Sequence, residues 1–302
     1  MLTYGGGWLD RSSGLRTDPD WISSTLAGPT ARVILLWRDQ CLVSGEPSTP
    51  LRLPGTEAIE VIGAADELVY LGSDGGDDVF AADLSTLTMD RAVELAGADG
   101  VRDVRALVGT LTPTEAAVQA HARGLLYWHR HQRFCGSCGA PTESRNGGHL
   151  RACSSTECAR LLFPRIEPAV IVLVEAPGTP NRCLLARHRG APEGAYSTLA
   201  GFLEIGESLE DAVRREVAEE AGVRLTTVTY QNSQAWPFPA GLMVGFRAVA
   251  ADEGICVDED ELVEARWFTR SELRERTAAG HRLGRPDSID HYLLRTWLAE
   301  ED

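Results

Sequence analysis

The chain has 302 residues, with 29 Lys and Arg against 44 Asp and Glu, so its formal net charge is −15. This negative charge argues against general electrostatic binding to a nucleic-acid backbone, although it allows a local basic pocket. The length suits two domains, or one large domain with a small module.

Three sequence features bear on location. The N-terminal segment MLTYGGGWLDRSSG lacks the basic start and apolar core of a secretory signal. The longest aliphatic run, residues 169–174, is far too short to span a bilayer. Four of the seven cysteines are clustered at spacings typical of a metal site, which suits a reducing compartment better than a disulfide scaffold does. We therefore expect a soluble, cytoplasmic protein without a membrane partner.

The N-terminal part of the chain carries short apolar runs separated by Gly, Pro and Asp. These runs predict β-strands at residues 31–37, 67–71 and 79–82. No internal repeat and no chemical motif is visible in this part. The sequence therefore predicts an N-terminal α+β domain over residues 1–130, without an assigned purpose.

A long helix is expected next. Thr112 is followed by Pro113 and Glu115, which is the pattern of a capping box with proline in the first turn. The helix should extend to about His129. The segment WHRHQRF at residues 128–134 is basic and aromatic, so it either contacts a nucleotide or packs the helix onto the following module, and we favour packing.

Four cysteines define that module. Cys135 and Cys138 form one pair, and Cys153 and Cys158 form a second pair after a spacer of fourteen residues. Two thiolate pairs on short loops suit a tetrahedral Zn²⁺ site of the ribbon kind, and because all four ligands are thiolates the metal would be structural, one per chain. The alternative is a cluster of free thiols. We place this zinc-ribbon module at residues 131–165 and expect His149 at its surface.

The third domain, residues 166–302, is expected to begin with strands at 169–175 and 182–187. It continues with residues 201–223, which read GFLEIGESLEDAVRREVAEEAGV. Residues 208–221 lack Gly and Pro and are rich in helix-forming residues, with Ser208 suited to the N-cap and Gly222 to the end of the helix.

The predicted helix carries three acids on one face, at spacing i, i+3 and i+4: Glu216, Glu219 and Glu220. Glu207 can join them where the helix begins. Carboxylates this close repel each other unless a charge neutralises them, and Mg²⁺ or Mn²⁺ with oxygen ligands would do so and also bind substrate phosphates. The alternative is a solvated acidic face paired to Arg214 and Arg215.

The whole stretch 201–223 resembles the Nudix box at every defined position. That resemblance implies a Nudix α/β/α sandwich and a hydrolase of nucleoside diphosphates linked to another group, with metal bound by the glutamates of the box.

Residues 233–241, SQAWPFPAG, form the second informative stretch. Two aromatic residues interleaved with two prolines predict a stiff, extended segment that could stack a heterocycle, or else a hydrophobic loop that fills the core. With the box and the cysteine module, this stretch resembles the signature SQPWPFPxS of the NADH pyrophosphatase family of Nudix hydrolases. Ala235 and Gly241 depart from that signature, where the family has Pro and Ser.

The resemblance implies roles for individual residues. Metal ligands would be the carbonyl of Ala200 and the carboxylates of Glu216, Glu220 and Glu261, with Glu219 as a further ligand or as the group that activates water; Glu207 completes the catalytic set. Substrate contacts would come from Phe163, Phe202, Gln234, Ala235, Trp236, Pro237, Phe238, Pro239, Ala240, Gly241 and Asp290. Family members are homodimers with sites that use both subunits, and Phe202 is a candidate for reaching the partner.

The sequence thus predicts an α+β protein in which an N-terminal domain and a zinc ribbon precede a Nudix domain. The resemblance implies Mg²⁺- or Mn²⁺-dependent hydrolysis of the pyrophosphate of NAD(H) to nicotinamide mononucleotide and AMP, together with removal of NAD caps from RNA 5′ ends. Two alternatives remain: a Nudix hydrolase of another nucleotide, or a nucleotide-binding Nudix-fold regulator. The intact set of glutamates argues against the regulator.

Overall fold

The structure, a computed structural model, describes residues 2–300, apart from the side chains of residues 179 and 180. It divides into two compact units. The first unit contains Thr3–Arg165 and Pro237–Ala240, and the second contains Ile166–Trp236 and residues 241–300. Within residues 2–300, no helix combines the length and the apolar character needed to cross a membrane.

The first unit is built on a mixed sheet with strand order β3-β2-β1-β6-β5, in which β4 also pairs with β1 and β7 with β2. Its strands are β1 Ala31–Trp37, β2 Gln40–Ser44, β3 Thr49–Pro50, β4 Arg52–Pro54, β5 Glu67–Ser73, β6 Asp78–Asp83 and β7 Gly100–Arg102. Its helices are α1 Pro19–Leu26, α2 Ile59–Ala64, α3 Met89–Ala96 and α4 Pro113–His131. Short 3₁₀ helices lie at Leu15–Thr17, Val104–Ala106 and Asn146–Gly148.

Both faces of this sheet are covered, which explains why β1 is apolar along most of its length. Val33 and Leu35 face a core shared with α1, α2 and α3, whereas Ile34 and Leu36 face a core shared with α4. Helix α4 begins at the predicted capping box, since the Thr112 and Glu115 side chains exchange hydrogen bonds with each other's backbone N–H. The three strands and the long helix expected from the sequence are therefore confirmed.

The cysteine module adds a small antiparallel sheet of strands β8 Thr142–Arg145, β9 Leu150–Cys153 and β10 Leu161–Leu162. Arg151 on β9 holds it to β5, donating to Glu67 Oε2 at 3.0 Å. His129 on α4 also contributes, because its Nε2 lies 2.7 Å from the carbonyl of Gly148. His149 is expected to be a surface residue and not a metal ligand: it is not part of the cysteine cluster, but it is half-buried, 2.7 Å from the carbonyl of Tyr70, because this turn packs against β5.

The second unit has a mixed sheet with strand order β14-β15-β11-β12-β16, in which β13 also pairs with β11. Its strands are β11 Glu167–Ala176, β12 Thr179–His188, β13 Leu199–Phe202, β14 Leu225–Trp236, β15 Gly241–Ala250 and β16 Leu262–Thr269. Its helices are α5 Leu209–Ala221, α6 Arg270–Ala278 and α7 Ile289–Leu298. Val170 and Val172 face the core beneath α5, and Ile171 and Leu173 face the core beneath α6 and α7.

The two sheets share one pairing pattern, although the sequence shows no repeat. In each, the first strand pairs antiparallel with the next strand and with a short strand, and parallel with a later one: β1 with β2, β4 and β6, and β11 with β12, β13 and β15. The outer pairs β5–β6 and β14–β15 also correspond, as do β2–β7 and β12–β16. A sheet needs only suitable apolar alternation, which many sequences satisfy, so the repeat is visible in the structure alone.

Candidate active site

Helix α5 begins and ends where its sequence predicts. Ser208 Oγ accepts a hydrogen bond from the backbone N–H of Asp211 at 3.2 Å, and Gly222 ends the helix with φ of 69° in the left-handed region. A Cβ at Gly222 would also lie 2.8 Å from the Cβ of Cys256, so glycine is required by both conformation and space. Ala212, Val213 and Val217 are buried, and this apolar stripe fixes the rotation of the helix.

Glu216 lies directly against strand β13. A Cβ added to Gly201 would come within 2.0 Å of the Glu216 carboxyl group. Any side chain at position 201 would therefore displace that carboxylate. The first glycine of the box, Gly201, thus provides the space that the Glu216 carboxylate occupies.

The Glu220 carboxyl group is buried in the second unit, and one of its oxygens, Oε2, lacks a hydrogen-bond partner among residues 2–300. Burial first, and then the charges of Glu216 and Glu261, raise the pKa of Glu220 to about 8. The pKa of Glu216 is also raised, chiefly by burial. A buried carboxylate oxygen without a donor is costly, and a divalent cation with oxygen ligands satisfies it, so these residues fit the predicted metal site.

Glu261 lies immediately before β16 and is exposed. After burial, its negative charge contributes to the raised pKa of both Glu216 and Glu220, which lie in a separate part of the chain. Glu264, its neighbour in sequence, is engaged elsewhere, because it accepts hydrogen bonds from the Tyr196 hydroxyl and from Arg187. The geometry therefore separates two acids that the sequence alone does not distinguish.

Glu207 and Glu219 are organised by Arg215. The Arg215 guanidinium donates to both oxygens of Glu207, at 2.6 and 2.9 Å, and this contact lowers the pKa of Glu207 to about 2. Arg215 Nη1 also lies 3.0 Å from Glu219 Oε2 and 2.9 Å from Glu216 Oε1. The Glu219 side chain is 62% exposed, so it stands at the solvent side of the acids, whereas Glu207 holds the arginine.

A cavity of about 490 Å³ lies on the Ile171 face of the sheet and is lined by Ala200, Gln234, Trp236 and Asp290 among others. Gln234 is buried, donating from Nε2 to the carbonyl of Asp287 and accepting at Oε1 from the N–H of Ile289, both at 2.7 Å. The signature glutamine thus fixes the segment that leads into α7. Its amide shapes the cavity wall through these two contacts.

Asp290, in the first turn of α7, also ties this helix to a neighbouring segment of the cavity wall. It is buried, and its Oδ1 accepts from both the backbone N–H and the hydroxyl of Thr198, at 3.1 and 2.7 Å. Burial raises the pKa of its carboxyl group. It lines the cavity and fastens the segment before β13 to α7.

The cavity also contains residues that the sequence reasoning missed, namely His188, Tyr196 and Arg282. They lie at the end of β12 and in two connecting segments, outside every recognisable motif. No spacing in the sequence marks them, because the fold brings them together from separate segments.

The aromatic signature is not one extended segment, so that expectation is wrong. Strand β14 ends at Trp236, Pro237–Ala240 form a turn, and β15 starts at Gly241, because two antiparallel strands joined this closely need a turn between them. Ala235 is exposed on β14, and Trp236 is half-buried at the cavity.

The turn itself belongs to the first unit. The Phe238 ring meets Tyr4 edge-on with ring centroids 5.4 Å apart, and the guanidinium groups of Arg105 and Arg123 lie 4.6 and 4.8 Å from its centroid. Arg123 also donates to the carbonyl of Pro237. The Phe238 ring is therefore packed by this unit, and its assignment to substrate stacking stays a prediction. Phe163 in the first unit and Phe202 in the second are 62% and 65% exposed.

The four cysteines of the ribbon converge on one point. Their Sγ atoms all lie within 4.8 Å of one another, with Cys135 to Cys158 at 3.8 Å and Cys138 to Cys153 at 3.4 Å. Sulfurs held at about 2.3 Å around one tetrahedral zinc would be about 3.8 Å apart. Backbone N–H groups of Ser137 and Cys138 lower the pKa of the Cys135 thiol, whereas burial raises the pKa of the Cys153 thiol, so Cys135 is the member of the two that more readily forms a thiolate without metal. The set suits a structural Zn²⁺ site.

Comparison with known proteins agrees with this geometry. Residues 165–287 match the NUDIX domain, and residues 30–128 match the NADH pyrophosphatase-like rudimentary NUDIX domain. The second match identifies the N-terminal domain, to which the sequence reasoning gave no purpose. It also agrees with the strand pairing shared by the two sheets.

Several relatives are similar over much of the chain. The chain is 41% identical over 199 residues to NAD-capped RNA hydrolase NUDT12 of Homo sapiens, covering 62% of the chain and 43% of that protein. It is 41% identical over 209 residues to NAD-capped RNA hydrolase NudC of Mycobacterium tuberculosis, covering 66% of each. It is 39% identical over 220 residues to the chloroplastic Nudix hydrolase 19 of Arabidopsis thaliana, covering 70% of the chain and 49% of that protein.

The matched part spans less than half of the human and plant relatives. The domain matches nevertheless cover both large sheets, and the complete box lies on α5 at the junction with β13. The chain therefore belongs to the Nudix hydrolase family, in the group whose catalytic domain follows an NADH pyrophosphatase-like rudimentary Nudix domain.

Proposed function

We propose that this protein hydrolyses the pyrophosphate bond of NAD(H), giving nicotinamide mononucleotide and AMP, and that it removes NAD caps from RNA 5′ ends. One observation carries the proposal. Ala200 lines the cavity, and the next residue, Gly201, packs against the Glu216 carboxylate. The cavity and the acids lie on opposite faces of the short strand β13, so a ring held in the cavity would place its phosphates at the acids by extending around this strand. The names of the human and mycobacterial relatives support this choice of substrate.

The metal site that we propose consists of Glu216, Glu220, Glu261 and the carbonyl of Ala200. Bound Mg²⁺ or Mn²⁺ would neutralise charge on the phosphates and lower the pKa of a water molecule. Arg215 orients Glu216 and Glu219 through its 2.9 and 3.0 Å contacts. We assign to the exposed carboxylate of Glu219 the proton that the attacking water releases.

The cavity suits one heterocycle of a dinucleotide. Trp236 and Tyr196 contribute aromatic surface, and Arg282 adds a cationic group. Aromatic walls stabilise a flat ring by stacking, while the cation favours an attached phosphate. We assign the nicotinamide mononucleotide half of NAD(H) to this cavity.

We further propose a cytoplasmic homodimer. Phe202 and Ile205 are large apolar residues close to the box, and they are 65% and 107% exposed. Apolar side chains this exposed beside a polar site are typical of a surface that a partner covers. The four-thiolate cluster suits a reducing compartment.

The test is a substrate panel with Mg²⁺ or Mn²⁺, read by mass spectrometry. It should include NADH, NAD⁺, NAD-capped RNA, ADP-ribose, a sugar nucleotide and a nucleoside triphosphate. We expect AMP from both of the first two, with reduced nicotinamide mononucleotide from NADH and nicotinamide mononucleotide from NAD⁺, and a 5′-monophosphate RNA from the third. Hydrolysis of another nucleotide alone would replace the substrate, and the absence of any hydrolysis would favour the regulator.

A further inference from the structure

The first unit contains a second cavity, of about 180 Å³, which the reaction proposed above does not use. It is lined by Ile34 on β1, by Thr49, Pro50 and Arg52 at the adjoining short strands, and by the first turns of α4, including Gln119. These residues belong to the rudimentary Nudix domain, whereas the short stretch Gly7, Trp8 and Leu9, which precedes that domain, also lines the cavity.

Strand register shows that this cavity corresponds to the larger one in the catalytic domain. Ile34 lies opposite Arg52, and in the other sheet Ile171 lies opposite Ala200. All four residues line their respective cavities. Helix α4 packs on the Ile34 face as α7 packs on the Ile171 face, and the N-terminal turn of each helix closes the cavity. The rudimentary domain has therefore kept a cavity at the position of the substrate cavity.

Gln119 is a second and independent sign of a ligand. It is only 6% exposed and lines this cavity. Within the described part of the chain its amide makes one hydrogen bond, a weak one that Oε1 accepts from Cys41 Sγ at 3.5 Å. The Gln119 Nε2 is not one of the fully enclosed side-chain atoms, so its N–H groups open to the cavity that the residue lines and are available to a molecule there.

Size and charge restrict what that molecule can be. Cavities for drug-sized ligands are roughly 300–1,000 Å³, so 180 Å³ suits a single ring system. The lining contains Arg52 against two acids, Asp74 and Glu115, and Arg52 already lies 3.8 Å from Asp74. One cation and two acids give the lining a net negative charge, which repels a phosphate but does not repel a neutral ring.

Two features favour an aminopurine ring. Trp8, 87% exposed, offers an indole at the mouth of the cavity on which a base can stack. A glutamine amide pairs in two-point fashion with adenine, donating to N7 and accepting from the N6 amine. We propose that the rudimentary Nudix domain binds an aminopurine base, such as the adenine of adenosine, in this cavity and does not hydrolyse it.

Equilibrium dialysis with adenosine tests the proposal on the 302-residue, zinc-loaded chain. Two buried glutamines form a matched pair: Gln119 in this cavity and Gln234 in the catalytic one. Gln119→Leu should weaken adenosine binding by about tenfold or more and leave NADH hydrolysis unchanged. Gln234→Leu should impair hydrolysis and leave this adenosine binding intact. Inosine, which lacks the N6 amine, should bind the parent protein more weakly than adenosine.

Three outcomes would overturn the proposal: no saturable adenosine binding up to millimolar concentration, binding that survives Gln119→Leu, or binding that disappears only with Gln234→Leu. If Gln119→Leu does not fold, as judged by its melting temperature and zinc content, Thr114→Trp fills the cavity from the exposed start of α4 and should also abolish binding. If the parent protein does not hydrolyse NADH, the reaction proposed above is contradicted. Adenosine binding to this cavity is measured separately and does not depend on that result.

Discussion

The rudimentary and the catalytic domains share a sheet topology, and they differ at the position where chemistry is expected. In the catalytic sheet Val170 lies opposite Gly201, which leaves space for the Glu216 carboxylate. In the rudimentary sheet the corresponding Val33 lies opposite Leu53, whose side chain packs into the core. The space beside this strand position is filled by the Glu216 carboxylate in the catalytic domain and by the Leu53 side chain in the rudimentary domain.

The helices that follow these strands differ in length. Helix α5 has thirteen residues and carries Glu216, Glu219 and Glu220 in its second half. Its counterpart α2 has six residues and ends before any such position is reached. Its acid, Glu60, is exposed. The shared sheet topology therefore provides a cavity in both domains. The acid cluster needs in addition Gly201 on the short strand and two further turns of helix α5.

The largest effect should come from the acids that the two helices do not share. Glu220→Gln should lower turnover by roughly 10²-fold or more, because a charged group that stabilises the transition state is removed. Glu60→Gln on α2 is the matched control and should leave turnover unchanged. The measurement is steady-state NADH hydrolysis, with the melting temperature as a folding check. Near-normal turnover in Glu220→Gln would move the active site elsewhere.

Exchange of Gly201 on β13 for leucine, the residue at the corresponding position of β4, should make the catalytic domain resemble the rudimentary one. Gly201→Leu would force the Glu216 carboxylate away, since even a Cβ would lie 2.0 Å from it. Turnover should fall by about 10²-fold, and Mg²⁺ should no longer raise the melting temperature. The control is Leu53→Gly, which should lower stability through lost core packing and leave turnover intact. Equal loss of turnover in both variants would contradict the comparison.

The zinc ribbon should matter for stability before it matters for chemistry. Cys135→Ser should remove the metal and lower the melting temperature by several degrees, since a structural zinc contributes folding energy. Cys256→Ser, at an exposed cysteine of the second unit, is the control. Metal analysis should find about one zinc per chain in the control and little in Cys135→Ser. A parent protein without zinc, with four freely titratable thiols, would remove the site.

The smallest effect is expected at Ala235, one of the two positions that depart from the family signature. Proline in a mobile segment typically contributes about 0.4–1 kcal/mol, or about two- to fivefold. Ala235, however, already lies opposite Leu242 in the β14–β15 pair, which limits its freedom. Ala235→Pro should therefore change the KM for NADH by less than this range, with kcat unaltered. A larger fall in KM would indicate that this strand end is mobile.

Features that depend on local spacing are predictable from the order of residues alone. The capping box at Thr112, the limits of α5 and the four-cysteine cluster follow from neighbouring residues, and the structure has each of them. The acids of α5 were also visible as a group, because helical periodicity brings positions three and four apart together.

The surroundings of each acid depend on contacts made by the fold. Glu220 is buried by packing, Glu207 is tied to Arg215, and the charge of Glu261, from the segment before β16, acts on Glu220. The same holds for the split of the aromatic signature between the two units and for the repeated sheet. These features arise from contacts between residues far apart in the chain, for which a single sequence contains no spacing rule.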